Sequence, residues 1–164
     1  MENFKNIPVY QHTELYAMHH DETIDYFSSH RANIACKKAI EDAIAQHYNN
    51  NRLSREGVKQ VEEVFGMERL LYVLAVTVRY REWDGRYSED NKRWAQTIPI
   101  VFQPDMAGRD RNLSYVVDQA HPGLVNLFLE QARKQMPVSR PSILEQLRNP
   151  RKEDPTISAG GFER

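Results

Sequence analysis

The feature that most constrains the fold is an almost unbroken apolar run, LLYVLAVTV, at residues 70–78. This run is about half as long as the roughly 20 residues that a membrane-spanning helix needs. Leu70, Leu71 and Leu74 continue a helical period that begins at Met67, so the sequence predicts a helix covered by other elements on all sides. The β-branched residues towards the end of the run leave a strand open as the alternative there.

Similar periods indicate further helices before and after this run. Apolar residues recur at spacings of three and four between residues 36 and 47, and again between residues 58 and 65. Gly66 is a typical helix stop and Ser88 a typical helix start. Pro122 stands where the first turn of a last helix is expected. The sequence therefore predicts a mainly α protein.

One segment is predicted to be extended instead, because Pro99 and Pro104 flank the apolar residues between them. We expect a compact helical bundle that forms a single domain over residues 1–150. Within it, a short β-hairpin or extended segment lies near 98–103. The tail at 151–164 has two glycines and no apolar period, so we expect it to be mobile.

The charge balance and the cysteine content exclude several classes of protein. The formal net charge is −1, so no overall field draws the chain to nucleic acid or to membranes. The single cysteine, Cys36, excludes an intrachain disulfide and suits a reducing cytoplasm. The N-terminal residues contain no apolar run typical of a signal peptide. We therefore expect a soluble, cytoplasmic protein that does not bind membranes.

No set of residues has the spacing of an active site or of a metal site. Cys36 lies on an apolar helical stripe, where a thiol usually packs and does not react. His19 and His20 are adjacent, so on a helix they point about 100° apart and do not hold one ion easily. The sequence contains no CxxC pair and no glycine-rich phosphate loop. These patterns predict a protein that is not an enzyme and that holds no metal and no cofactor.

The stretch RYREWDGRYSEDNKRW, residues 79–94, combines five cations with two tryptophans. One interpretation is a corner between two helices, in which Trp83 closes the core and Arg86 pairs with an acid. The other is a surface that contacts phosphates, stacked bases or another protein. Four acids leave this stretch at only +1, which favours a protein partner over nucleic acid. The candidate partner-binding residues are Arg79, Arg81, Trp83, Asp84, Arg86, Lys92 and Arg93.

A second basic patch lies near the C-terminus, where Glu145 is the only acid between residues 133 and 152. A solvated helix face accounts for such a patch in the simplest way. Contact with a phosphate backbone or with an acidic groove is the alternative. The candidate residues of this patch are Arg148, Arg151 and Lys152.

Several short motifs carry a resemblance to a known family. They lie between Ile7 and Pro99 and read IPVY, SHRANIACKKAIEDAI, VFGMERLLYVLAVTV, WDGRYSEDNKRWA and IP. The block that contains them, about residues 7–103, resembles a domain family of unknown function from conjugative elements and prophages of anaerobic Gram-positive bacteria. Some proteins of this kind are similar to inhibitors of the CRISPR effector Cas9. The family offers no catalytic residues, and residues beyond about 103 fall outside the resemblance.

The residues and the resemblance together lead to one functional hypothesis and one alternative. The hypothesis is a non-enzymatic binding protein of a mobile genetic element, an anti-CRISPR-type inhibitor whose partner is Cas9 or its guide-RNA complex. At net charge −1 the chain cannot present the acidic stripe of a DNA mimic, so aromatic and arginine side chains would make the contact. The alternative is a nucleic-acid-binding accessory or regulatory protein for transfer or replication of the element. Both hypotheses leave the oligomeric state open.

Overall fold

The computed structural model describes residues 4–135 of the chain. Within this range the structure has six α-helices: Glu14–His19 (α1), Thr23–His47 (α2), Glu56–Phe65 (α3), Met67–Arg79 (α4), Glu89–Gln96 (α5) and Pro122–Lys134 (α6). A 3₁₀ turn at Arg111–Tyr115 precedes α6. The mainly helical fold that the sequence predicts is therefore confirmed.

The apolar run forms the central helix, α4, which is helical from Met67 to Arg79. Its strand alternative is therefore wrong, because the side chains of the run are buried on all sides, as a central helix requires. The helix packs against α2, α3, α5, α6 and the 3₁₀ turn. Gly66 separates α3 from α4 with a φ of 85°, a left-handed conformation that glycine adopts without strain.

The short hairpin lies between α2 and α3 and not near 98–103. Strand β1 (Tyr48–Asn49) pairs antiparallel with strand β2 (Arg52–Leu53). The two residues between them, Asn50 and Asn51, have φ values of 54° and 62°. Asparagine tolerates this left-handed conformation, and two such residues in succession match the tight hairpin turn that suits twisted strands. Asn50 and Asn51 therefore form the turn of the hairpin.

The segment at 98–103 has no regular secondary structure, which fits the extended alternative of the prediction. It follows α5, whose first turn is capped by Ser88 because the Ser88 side chain accepts a hydrogen bond from the Asn91 N–H at 3.1 Å. An isolated antiparallel bridge joins Pro104 to Asp110 and closes the loop between them. This segment therefore runs alongside the residues that lead into the 3₁₀ turn.

The contacts of the chain divide it after Lys134, and the described residues up to that point form one compact unit. None of the helices between residues 4 and 135 is long and apolar enough to cross a membrane. The predicted domain limit at 150 and the predicted tail at 151–164 lie outside the described residues.

Candidate functional site

The corner between α4 and α5 is built around the carboxylate of Asp84. Arg86 donates three hydrogen bonds to this carboxylate, from its backbone N–H at 2.9 Å, from Nε at 3.0 Å and from Nη2 at 2.9 Å. These bonds lower the pKa of Asp84 to about 2, so the carboxylate stays charged at any physiological pH. Asp84 lies inside the corner, where it positions Arg86, and not on the surface where we expected it to contact a partner.

Trp83 does not close the core, because 74% of its surface is exposed. The corner interpretation therefore holds for Asp84 and Arg86, whereas Trp83 stands outside the corner as an unpacked aromatic ring. An exposed tryptophan is informative, because tryptophan is highly buried on average and is enriched among the residues that dominate protein interfaces. Tyr87 differs from Trp83, since it is almost fully buried and cannot contribute a ring to the surface.

Most cations of the corner are already held by neighbouring groups. Arg79 donates to the backbone carbonyls of Ala95 and Ile98, at 3.5 and 3.3 Å, and thereby ties the end of α4 to the end of α5. Three other predicted cations have carboxylate partners, in the pairs Arg86–Asp84, Lys92–Glu89 and Arg93–Asp90. The Arg81 side chain makes no hydrogen bond or ion pair with any residue between 4 and 135. The acids therefore neutralise most of the positive charge at this corner.

An open cleft of about 390 Å³ is lined in part by Glu82, the residue that precedes Trp83 in the chain. Phe102 contributes an exposed aromatic ring to it, with 56% of its surface accessible. The cleft contains both charged and apolar groups, as sites that bind another molecule do. The lining residues are Arg79, Tyr80, Glu82, Gln96, Ile100, Phe102 and Asp110.

A comparison of the sequence with known protein families gives a match that includes this region. The sequence pattern of a protein family of unknown function, DUF3849, matches residues 9–137, which is most of the chain. The protein belongs to the DUF3849 family. The match covers all seven predicted residues of the corner, the cleft and helix α6. The family therefore extends well beyond residue 103, where the resemblance found from the sequence motifs ended. No curated protein and no solved structure matches this chain.

Helix α6 of this DUF3849 protein completes the outer side of the corner. The guanidinium of Arg133 lies 5.4 Å from the ring centroid of Trp94, a cation–π distance. Its Nη1 also donates to Asp90 at 3.0 Å and to Asn91 at 2.7 Å. Trp94 is thus engaged within the protein, in contrast to Trp83. The predicted second patch at Arg148, Arg151 and Lys152 lies outside the described residues.

Sequence reasoning missed a buried polar cluster around Arg69, which is 1% exposed. Its guanidinium donates to Asn33 Oδ1 at 2.8 Å and to Ser29 Oγ at 2.9 Å, both on α2. It also donates to the backbone carbonyls of Ile7 at 2.5 Å and Pro8 at 3.2 Å. The available signal was Arg69 itself, a charged residue directly before the apolar run at 70–78. Its partners are distant in the sequence, so local patterns do not identify them.

The same cluster continues through tyrosines towards the 3₁₀ turn. His30 Nδ1 lies 2.7 Å from the Tyr115 hydroxyl, and the Tyr72 hydroxyl donates to Asn112 Oδ1 at 3.0 Å. Burial raises the pKa of Tyr115 to about 12 and lowers that of His30. Within the described part of the chain, no three His, Cys, Asp or Glu side chains converge as they would to hold a metal ion. These groups bond to one another, so we interpret the cluster as structural.

Cys36 is fully buried, as its place on the apolar stripe predicts. Burial raises the pKa of its thiol, so the nucleophilic thiolate does not form at neutral pH. A thiol without solvent contact and without a thiolate form is suited to packing.

Proposed function

We propose that this DUF3849 protein is a non-enzymatic binding protein that acts by occupying the surface of a partner protein. The observation that carries the proposal is the exposed ring of Trp83 on a corner fixed by the three hydrogen bonds between Arg86 and Asp84. These bonds hold the main chain of the corner that carries the ring. Binding therefore requires little additional ordering, which is the main cost of mobile contact residues.

The proposed partner is the bacterial defence nuclease Cas9 or its guide-RNA complex. Support for this choice comes from the resemblance of the motifs between residues 7 and 103 to proteins of mobile elements, some of which are similar to Cas9 inhibitors. An inhibitor of this size needs no reaction of its own, since blocking a DNA or guide surface is enough. At net charge −1 it would act through aromatic and arginine contacts and not by imitating DNA.

The pairing of the corner cations favours a protein partner over nucleic acid. Binding to a phosphate backbone gains its affinity from free Lys and Arg side chains that release counterions. At this corner Arg86, Lys92 and Arg93 each have a carboxylate partner. Using them for phosphate would require these ion pairs to separate. We therefore place the nucleic-acid alternative second, as an outcome that the experiment can detect.

The experiment compares Trp83→Ala with the wild-type protein in a Cas9 cleavage assay and in a direct binding measurement with the Cas9–guide complex. A tryptophan at the centre of an interface costs about 2 kcal/mol or more when truncated, so affinity should fall about 30-fold or more. The matched control is Ile24→Ala, which removes an equally exposed apolar side chain on α2, with 81% of its surface accessible. This control should inhibit like the wild type.

Two results would contradict the proposal. If the wild-type protein neither binds the Cas9–guide complex nor slows cleavage, Cas9 is not the partner. If the protein instead retains nucleic acid, and this affinity falls by orders of magnitude between about 50 and 200 mM salt, the accessory-protein alternative replaces it.

A further inference from the structure

The main chain from Val101 to Gln103 bonds to its neighbours on one side only. Asn112 Nδ2 donates to the Val101 carbonyl at 2.8 Å, and Arg111 N–H donates to the Gln103 carbonyl at 2.6 Å. The Gln103 N–H donates to Asp110 Oδ1 at 2.9 Å. All three bonds therefore connect residues 101 and 103 to the segment at 110–112. In an extended chain, alternate residues direct their main-chain groups to the same side, which is the pattern of a strand with one partner.

The alternate residues, Ile100 and Phe102, consequently direct their main-chain groups to the other side. Neither residue makes a main-chain hydrogen bond with any part of the chain that the structure describes. Arg79 lies near the start of this segment, because it donates to the carbonyl of Ile98 at 3.3 Å. Ile100, Phe102 and Arg79 all line the open cleft. The unpaired N–H and C=O groups therefore belong to residues at the edge of a cleft that another chain can enter.

We propose that a partner protein adds an extended peptide segment to this edge, so that its main chain pairs with Ile100 and Phe102. This proposal deepens the proposed function and rests on it, because it specifies how a protein partner contacts the cleft that begins at Glu82, the chain neighbour of Trp83. Such strand addition takes its affinity from main-chain hydrogen bonds and its specificity from alternate side chains.

The cleft also indicates which side chains the peptide carries. Its two acids are engaged, since Glu82 accepts from Gln96 and Asp110 accepts from the Gln103 and Asn112 N–H groups. Arg79 has no carboxylate partner among residues 4–135, so a carboxylate on the peptide would pair with it. The exposed ring of Phe102 suits an apolar side chain beside that carboxylate. The partner segment is therefore extended, with one acidic and one apolar residue on the same face.

Prolines limit how far this edge can pair. Pro99 and Pro104 border the segment, and proline lacks the N–H that a strand ladder needs. Natural edge strands use proline and short length to prevent uncontrolled pairing between copies. A short edge between two prolines accepts a short peptide and does not extend into a larger sheet. The arrangement therefore fits selective recognition better than self-association.

The test removes the N–H group of residue 100 and compares this variant with one that shortens the same side chain but keeps the N–H. Ile100→Pro deletes the N–H on the unpaired side, whereas Ile100→Ala shortens the same side chain and retains that N–H. Val101→Pro is the second control, because it deletes an N–H on the side that faces Asn112. Circular dichroism and thermal unfolding identify any variant that fails to fold. Among folded variants, Ile100→Pro should bind the Cas9–guide complex about tenfold more weakly than Ile100→Ala, and Val101→Pro should bind like the wild type.

A displayed library of random peptides makes the test independent of Cas9. Peptides selected on the wild-type protein should bind Ile100→Pro about tenfold more weakly than Ile100→Ala and should contain an acidic residue. Suppose that Cas9 binds and that Trp83→Ala weakens this binding. If Ile100→Pro and Ile100→Ala then have equal affinities for Cas9 and for the selected peptides, strand addition is wrong and the proposed function stands. If Cas9 does not bind but such peptides are recovered, the edge is confirmed and Cas9 is excluded. Failure with both probes overturns both proposals.

Discussion

Replacing Arg69 by methionine should destabilise the protein strongly, because this buried guanidinium donates four hydrogen bonds. Bonds from a charged donor contribute about 1.5 kcal/mol or more each, which gives about 6 kcal/mol for the four. Removing a guanidinium from water costs several kcal/mol, about half of that sum. We therefore expect Arg69→Met to lower the free energy of unfolding by about 3 kcal/mol, because Asn33 and Ser29 keep their polar atoms and lose this donor.

Urea unfolding monitored by circular dichroism measures this change directly. With an m-value of about 2 kcal/mol/M, a loss of about 3 kcal/mol moves the unfolding midpoint by about 1.5 M. Arg109→Met is the matched control, since the Arg109 side chain is 76% exposed and only pairs with Asp105 at 3.4 Å. Its midpoint should remain close to that of the wild type, because exposed ion pairs contribute little.

Arg69→Lys separates the charge of Arg69 from its geometry. Lysine keeps the positive charge but lacks the planar fork that reaches α2 and the carbonyls of Ile7 and Pro8 together. We expect a loss similar to that of Arg69→Met. The reasoning would be refuted if Arg69→Met unfolded at the wild-type midpoint. The free-energy cost of removing the guanidinium from water would then equal the stabilisation by its four hydrogen bonds. Full stability of Arg69→Lys would show that the fork geometry is unimportant.

Two further predictions concern buried titratable groups. Burial lowers the pKa of His30 in the folded protein, with Arg111 and Arg31 adding to this effect and Glu14 opposing it. The stability that neutral His30 contributes is therefore complete above the unfolded pKa of about 6.5 and is lost as the pH falls below that value. Urea unfolding midpoints measured from pH 7 to pH 5 should consequently decline more for the wild type than for His30→Gln. Cys36 should not react with a thiol-specific reagent in native buffer and should react fully in denaturant; rapid reaction of the native protein would contradict its complete burial.

The parts of the fold that depend on local sequence were predictable. The helical period around Leu70, the stop at Gly66 and the cap at Ser88 each act within one or two helical turns. The pairing of Arg86 with an acid also followed from the corner interpretation, because Asp84 is only two residues away. Local geometry alone decides such features, so the surrounding fold does not change them.

The exposure of aromatic residues at the corner was not predictable in the same way. Trp83 and Tyr87 are four residues apart, yet one is 74% exposed and the other 2%. Which ring is covered depends on the elements that pack over the corner, and these are far away in the sequence. For the same reason the buried site of Arg69 was missed, since its carbonyl acceptors at Ile7 and Pro8 are about sixty residues earlier. Non-local contacts decide both cases.

The corner and the cleft differ in how much freedom they retain, and this difference supports a two-part contact. The bonds between Asp84 and Arg86 hold the main chain of the corner, so the proposed contact through Trp83 requires little rearrangement of that main chain. The segment at 100–102 is held only on the side that faces residues 110–112, which leaves its other side to be completed by a partner. In the proposed contact, the exposed ring and the main-chain hydrogen bonds give affinity, and the alternate side chains of the added segment give selectivity. A partner that lacks an extended segment would therefore bind through Trp83 alone and more weakly.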